Sequence, residues 1–93
     1  MEVLIQKPTN KDKKFMLETH GQIFHFGAAG YEDYTMHNDD DRKPRYIKRH
    51  MKNEKWDNPT KAGFYSRWVL WHKKTIEESI ADINKRFNLN VKM

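Results

Sequence analysis

Gly63-Phe64-Tyr65-Ser66-Arg67-Trp68-Val69-Leu70-Trp71-His72 holds two of the chain's three tryptophans. At helical spacing Phe64, Trp68 and Trp71 fall on one face, with Val69 and Leu70 beside it. Apolar residues at i, i+4 and i+7 mark a core-facing helix. Aromatic side chains each bury on the order of 150–250 Å², so no other segment of so short a chain can add as much to a core. The spacing predicts a buried helix over 60–74, with Phe64, Trp68 and Trp71 inward and Ser66 and Arg67 as its polar interior positions.

Upstream, Asn38-Asp39-Asp40-Asp41 offers an N-cap and carboxylates for the positive end of a helix dipole. Pro44 fits only in a first turn, where its missing N–H costs nothing. A helix is therefore expected from about Asp41 to Asn53. Tyr46/His50 and Ile47/Met51 would form its inward stripe, and Arg45/Arg49 and Lys48/Lys52 its outward one. The loop 53–59 would pin Trp56 against the body. Downstream, Thr75-Ile76-Glu77-Glu78 is a capping box. It opens a helix with Ile76, Ile80, Ile83 and Phe87 on one stripe and an Asp82/Arg86 ion pair outside.

The first third of the chain reads as β-structure. Val3–Gln6 is a short strand ended by Pro8-Thr9-Asn10. Phe15–Thr19 and Gln22–Phe26 are β-prone runs joined by His20-Gly21, a hairpin signal because glycine accepts positive φ. Leu89–Met93 would add a terminal strand to that hairpin. Together these predict an α+β fold: an N-terminal β-hairpin, extended to three strands, packed with three helices. Residues 1–93 form a single small basic domain, with 1–13 as a candidate loose end.

Ninety-three residues leave no room for a second core. The hydrophobic share of 37% is low and the charged share of 33% high, yet 13% aromatics argue against disorder. A net charge of +5 attracts polyanions, nucleic acid first and acidic proteins second. The absence of cysteine excludes disulfides, thiolate nucleophiles and cysteine-held zinc, and fits a reducing compartment. No apolar run approaches the roughly 20 residues of a bilayer span. Met-Glu-Val-Leu-Ile-Gln-Lys does not resemble a signal peptide. A non-secreted protein with no membrane partner is expected.

Functional chemistry concentrates in Arg42, Lys43, Arg45, Lys48, Arg49 and Lys52, six cations with no acid among them. The plainer reading is a solvated face offset by Asp39–Asp41. The sharper one is a row of phosphate contacts, sequence-tolerant because nothing here supports base readout. Arg67 and Lys73 are outlying members, Arg67 either a phosphate clamp or a cation–π residue. Tyr31, Tyr34 and Trp56 are candidates for base stacking or for packing. His37 and His50 with Asp39 or Asp41 could hold a metal in the style of a small nuclease, although no H-E-x-x-H occurs. Gly27-Ala28-Ala29-Gly30 lacks the lysine and hydroxyl residue of a P-loop. No nucleophile motif is present, and neither catalytic residues nor a cofactor are expected.

A longer pattern runs through these segments: His25-Phe26-Gly27-Ala28-Ala29-Gly30-Tyr31, Asp33-Tyr34-Thr35-Met36-His37, Arg42-Lys43, Arg45-Tyr46 and Arg49-His50. It continues through Trp56, Ala62-Gly63-Phe64, Ser66-Arg67-Trp68 and Leu70-Trp71 to Ser79-Ile80. Over residues 14–87 it resembles a family of small basic, functionally uncharacterised proteins encoded by large nucleocytoplasmic DNA viruses. Asn38 and Ala29 stand where that family has lysine, which removes cations from the loop before the basic helix. The resemblance implies a setting, an infected cell or the virion, and a role in viral genome packaging or organisation with DNA as partner. The alternatives are a virion structural or scaffold protein that binds acidic proteins, and a small metal-dependent nuclease.

Overall fold

The computed structural model describes residues 1–93. Strand alternation builds the sheet. In β1 (Glu2–Gln6) Val3 and Ile5 are buried while Glu2, Leu4 and Gln6 face outward. β2 (Lys13–Thr19) and β3 (Gln22–Ala28) pair antiparallel, with Phe15 opposite Phe26 and Leu17 opposite Phe24. Their turn places both His20 (φ 50°) and Gly21 (φ 75°) in the left-handed region, the twist a two-residue hairpin needs.

β4 (Asn90–Lys92) corrects one expectation, because it joins β1 in parallel rather than the hairpin. The sheet is mixed, in the order β3-β2-β1-β4, and the fold is α+β. Residues 1–13, a candidate loose end in the sequence, thus supply an interior strand.

Four helical segments accompany the sheet: α1 (Tyr34–His37), α2 (Arg42–His50), α3 (Ala62–Tyr65), which packs on β3, and α4 (Ile76–Arg86), which packs on β4. The single turn α1, unanticipated, is capped by Asp33, whose carboxylate accepts from the Thr35 N–H. α2 is shorter than expected. It starts where Asp39 Oδ1 accepts from the Asp41 and Arg42 N–H groups, and its last turn closes at Met51. In α4 the hydroxyl half of the capping box forms: Thr75 Oγ1 accepts from the Glu78 N–H, and the Glu78 carboxylate takes the Thr75 hydroxyl in place of the Thr75 N–H.

The aromatic spine departs from its expected register. α3 runs into a π-helical turn, Ser66–Leu70. A π turn bonds i to i+5, so Phe64 aligns with Val69 and Tyr65 with Leu70. These four are the buried residues, while Trp68 and Trp71 are only half-buried. They join Val3, Ile5, Leu17, Phe26, Ile83 and Val91 in one core. Trp68 is tethered instead, its indole donating to the Trp56 carbonyl at 2.8 Å. No helix is long and apolar enough to cross a membrane.

Candidate functional site

α2 forms one wall of a cleft of about 690 Å³. Arg42, Arg45 and Arg49, spaced i, i+3 and i+7, line it from that helix together with Tyr46 and His50. Opposite stand Lys13 and Lys14 of β2 and Gly27 and Ala28 of β3, with Tyr31 and Glu32 also in the lining. Ser66, Leu70 and Trp71 contribute from the spine.

The helix is held there by aromatic contact. Tyr46 lies flat on Trp71, ring centroids 4.3 Å apart and planes 1° from parallel. Burial drives the Tyr46 hydroxyl pKa up, with the nearby Glu54 carboxylate adding to it. Gly27 lets β3 approach the spine: a Cβ there would stand 2.9 Å from Leu70 Cδ1.

Charge is distributed unevenly along the cleft. Lys14 Nζ meets Asp33 at 2.6 Å, and the same carboxylate accepts from Thr35. Arg42 meets Glu32 at 3.3 Å. Glu54 takes His50 at 3.5 Å and the Trp56 indole N–H at 3.2 Å. Every cleft carboxylate is therefore engaged. Lys13, Arg45 and Arg49 make no ion pair, and neither do Lys48 and Lys52 on the exposed side of the helix and just beyond its end.

The eight residues proposed from sequence separate into groups. Arg42, Arg45 and Arg49 line the cleft, while Lys48, Lys52 and Lys73 are exposed outside its lining. Lys43 does not belong to the outward row. Its ammonium donates to the His72 carbonyl at 2.6 Å and sits 5.0 Å from the Tyr34 ring centroid. Desolvation, with Arg67 and Lys73 nearby, lowers its pKa. Arg67 packs 4.3 Å from the Trp68 centroid and 5.6 Å from that of Trp56, and donates to the Trp71 carbonyl. That is the cation–π arrangement rather than an open phosphate clamp.

The histidines do not assemble a metal site. His37 Nδ1 accepts from the Asp39 N–H and its ring meets Trp71, whereas His50 pairs with Glu54. No group of three His, Asp or Glu side chains is placed to hold a metal ion. Of the stacking candidates Tyr34 is buried and Trp56 half-buried; Tyr31 is 73% exposed.

Sequence reasoning missed Lys13, Lys14, Glu32, Asp33 and Glu54. The only local signal for the lysines is the hairpin register, Lys13 opposite Ala28, which carries them beside the Gly27–Gly30 turn.

No curated protein and no solved structure matches the chain. Residues 3–50, which run from within β1 to the last residue of α2 and include most of the cleft lining, match one family model. On that match the chain belongs to DUF5754, a family of unknown function.

Proposed function

We propose that this protein binds nucleic acid non-enzymatically and without sequence preference, duplex DNA being the favoured partner, through the cationic face of α2. One observation carries the reading: Arg45, Lys48, Arg49 and Lys52 are solvent-facing and make no ion pair, in a chain with 13 acids to offer. Like charges at i, i+4, as in Arg45/Arg49, cost a helix roughly 0.2–0.5 kcal/mol. A phosphate backbone removes that cost and releases condensed counterions. Lysine and arginine on an exposed face suit phosphates at any sequence. The resemblance to viral proteins supports genome packaging or organisation as the setting.

Fluorescence anisotropy of a labelled blunt duplex across a salt series tests this. Affinity should fall steeply with salt, each phosphate contact adding about −0.9 to the log–log slope. Lys48→Glu/Lys52→Glu should weaken binding and flatten the slope by about 1.8, two contacts' worth. Salt-independent binding, or a variant that binds like wild type, rejects the assignment. Wild-type indifference to DNA, with retention on an acidic protein partner, would move the same face to a scaffold role.

A further inference from the structure

We infer that the cleft between α2 and the base of the β2–β3 hairpin binds a single unpaired nucleotide, its phosphate against Lys13, Arg45 and Arg49 and its base over Leu70 and Trp71. Such a site rests on the nucleic-acid reading of α2 and deepens it. The ridge of Lys48 and Lys52, outside the cleft, holds a duplex backbone, and Arg45 and Arg49, exposed at its rim, turn to the nucleoside phosphate when one is bound.

Size is the first support. A volume of about 690 Å³ lies within the range of roughly 300–1,000 Å³ typical of small-molecule sites. The space is also built rather than incidental. Tyr46 stacked on Trp71 and Lys43 bonded to the His72 carbonyl fix α2 at one wall. Gly27 lets the opposite wall close down on Leu70. The π turn Ser66–Leu70 supplies two lining residues, and single π turns recur at functional positions.

Charge then selects the ligand. Asp33, Glu32 and Glu54 already have cationic or hydrogen-bonding partners, whereas Lys13, Arg45 and Arg49 make no ion pair, Arg45 donating through Nε only to the Asp41 main-chain carbonyl. The surplus calls for an anion, and arginine forks match phosphate oxygens. A bare polyphosphate or duplex backbone would run against Glu32 and Glu54 on the same walls. A nucleoside turns those carboxylates to use, because sugar hydroxyls and base amines are donors. The apolar lining at Leu70 and Trp71 suits a base, and Tyr31, largely exposed, has a ring free to cover it.

Isothermal titration calorimetry with dAMP, deoxyadenosine and inorganic phosphate reads each half of the site separately. Binding of dAMP should exceed that of either fragment by about tenfold or more, one charge-assisted contact's worth. Arg45→Gln/Arg49→Gln should weaken dAMP by about tenfold or more, since each guanidinium bond removed is of that strength. Lys48→Gln/Lys52→Gln should leave dAMP within about twofold while weakening a blunt duplex, because neither lysine lines the cleft. Absence of dAMP binding overturns the proposal. So does phosphate binding as tightly as dAMP, or equal loss in the two variant pairs.

A duplex with a short single-stranded overhang distinguishes the ligand's source. Tighter binding than the blunt form, lost in Arg45→Gln/Arg49→Gln, supports an unpaired end of the bound strand. Equal binding alongside dAMP uptake supports a free nucleotide. The two readings fail separately: steep duplex binding without dAMP sinks the cleft alone, and dAMP uptake without duplex binding sinks the ridge alone.

Discussion

Gly27 is where one missing methyl group decides the geometry of the cleft. Its φ of +78° lies in the left-handed region, and a Cβ would stand 2.9 Å from Leu70 Cδ1 and 3.1 Å from Lys14 Cβ. Gly30 shares the backbone conformation (φ +87°), but a Cβ there meets nothing within 4 Å. The two positions therefore separate backbone strain from collision. Gly30→Ala should cost only the left-handed penalty, roughly 1–2 kcal/mol. Gly27→Ala should cost that and about 1–3 kcal/mol more, because β3 or Leu70 must give way. Urea denaturation of the two variants checks this, and equal losses would show that Leu70 yields freely. Gly27→Ala should also weaken dAMP binding, since Leu70 and Lys14 both line the cleft.

At the scale of elements, the spine and α4 are tied by His72, Asp82 and Arg86. His72 Nε2 lies 2.5 Å from the Asp82 carboxylate, which also accepts from Arg86 Nε at 3.0 Å. Burial lowers the His72 pKa from its ordinary 6.5, outweighing the pull of Asp82, and Arg67 and Lys73 push it the same way. The His72 bond, followed by Arg86, lowers the Asp82 pKa. With the folded His72 value below the unfolded one, the unfolded chain binds more protons as pH falls. Stability is thus full above about pH 6.5 and is lost as pH drops from there toward the folded value. The Asp82 contribution is present above about pH 4 and fades only as pH falls through its own lowered value. His72→Gln should abolish the first step and shrink the second to the part that Arg86 sustains, read as urea midpoints across the acid range. An unchanged first step would assign it to another group. These elements also show what local sequence carries. The hairpin and α4 were legible because a two-residue turn and a capping box are written within a few positions. The register of the spine is not legible, because nothing local marks a π turn and the 3.6-residue period puts Trp68 and Trp71 where Val69 and Leu70 belong. The charge of α2 was plain, but the inward turn of Lys43 depends on a carbonyl 29 residues away. The cleft walls come from segments that only folding brings together, so Lys13 gave no sign of its role.

For the whole molecule, the first and last strands pair at one side of the sheet, where β4 is the edge. β1 and β4 pair with Val3 opposite Val91, and Asn90 donates to the Met1 carbonyl. α4 clamps that edge through Asn84, whose side chain accepts from the Val91 N–H at 2.8 Å and donates to the Val91 carbonyl at 3.2 Å. Val91, 4% exposed, is the one residue that β4 gives to the core, so the docking of that strand rests on this side chain and on the Asn84 bonds. Val91→Asp would place a carboxylate opposite Val3 inside the core, and undocking β4 is the cheaper response. The expected cost is about 3 kcal/mol or more. The bared β1 edge should then pair with other copies and raise light scattering. Lys92→Asp, exposed on the same strand, should do neither. No residue of β1 or β4 lines the cleft, which sits beside β2 and β3 at the other side of the sheet. Below its unfolding transition, Val91→Asp should therefore keep wild-type affinity for duplex DNA and for dAMP. Weaker binding by molecules that are still folded would mean that the edge holds α2 in place, and that the two sides of this small sheet are coupled.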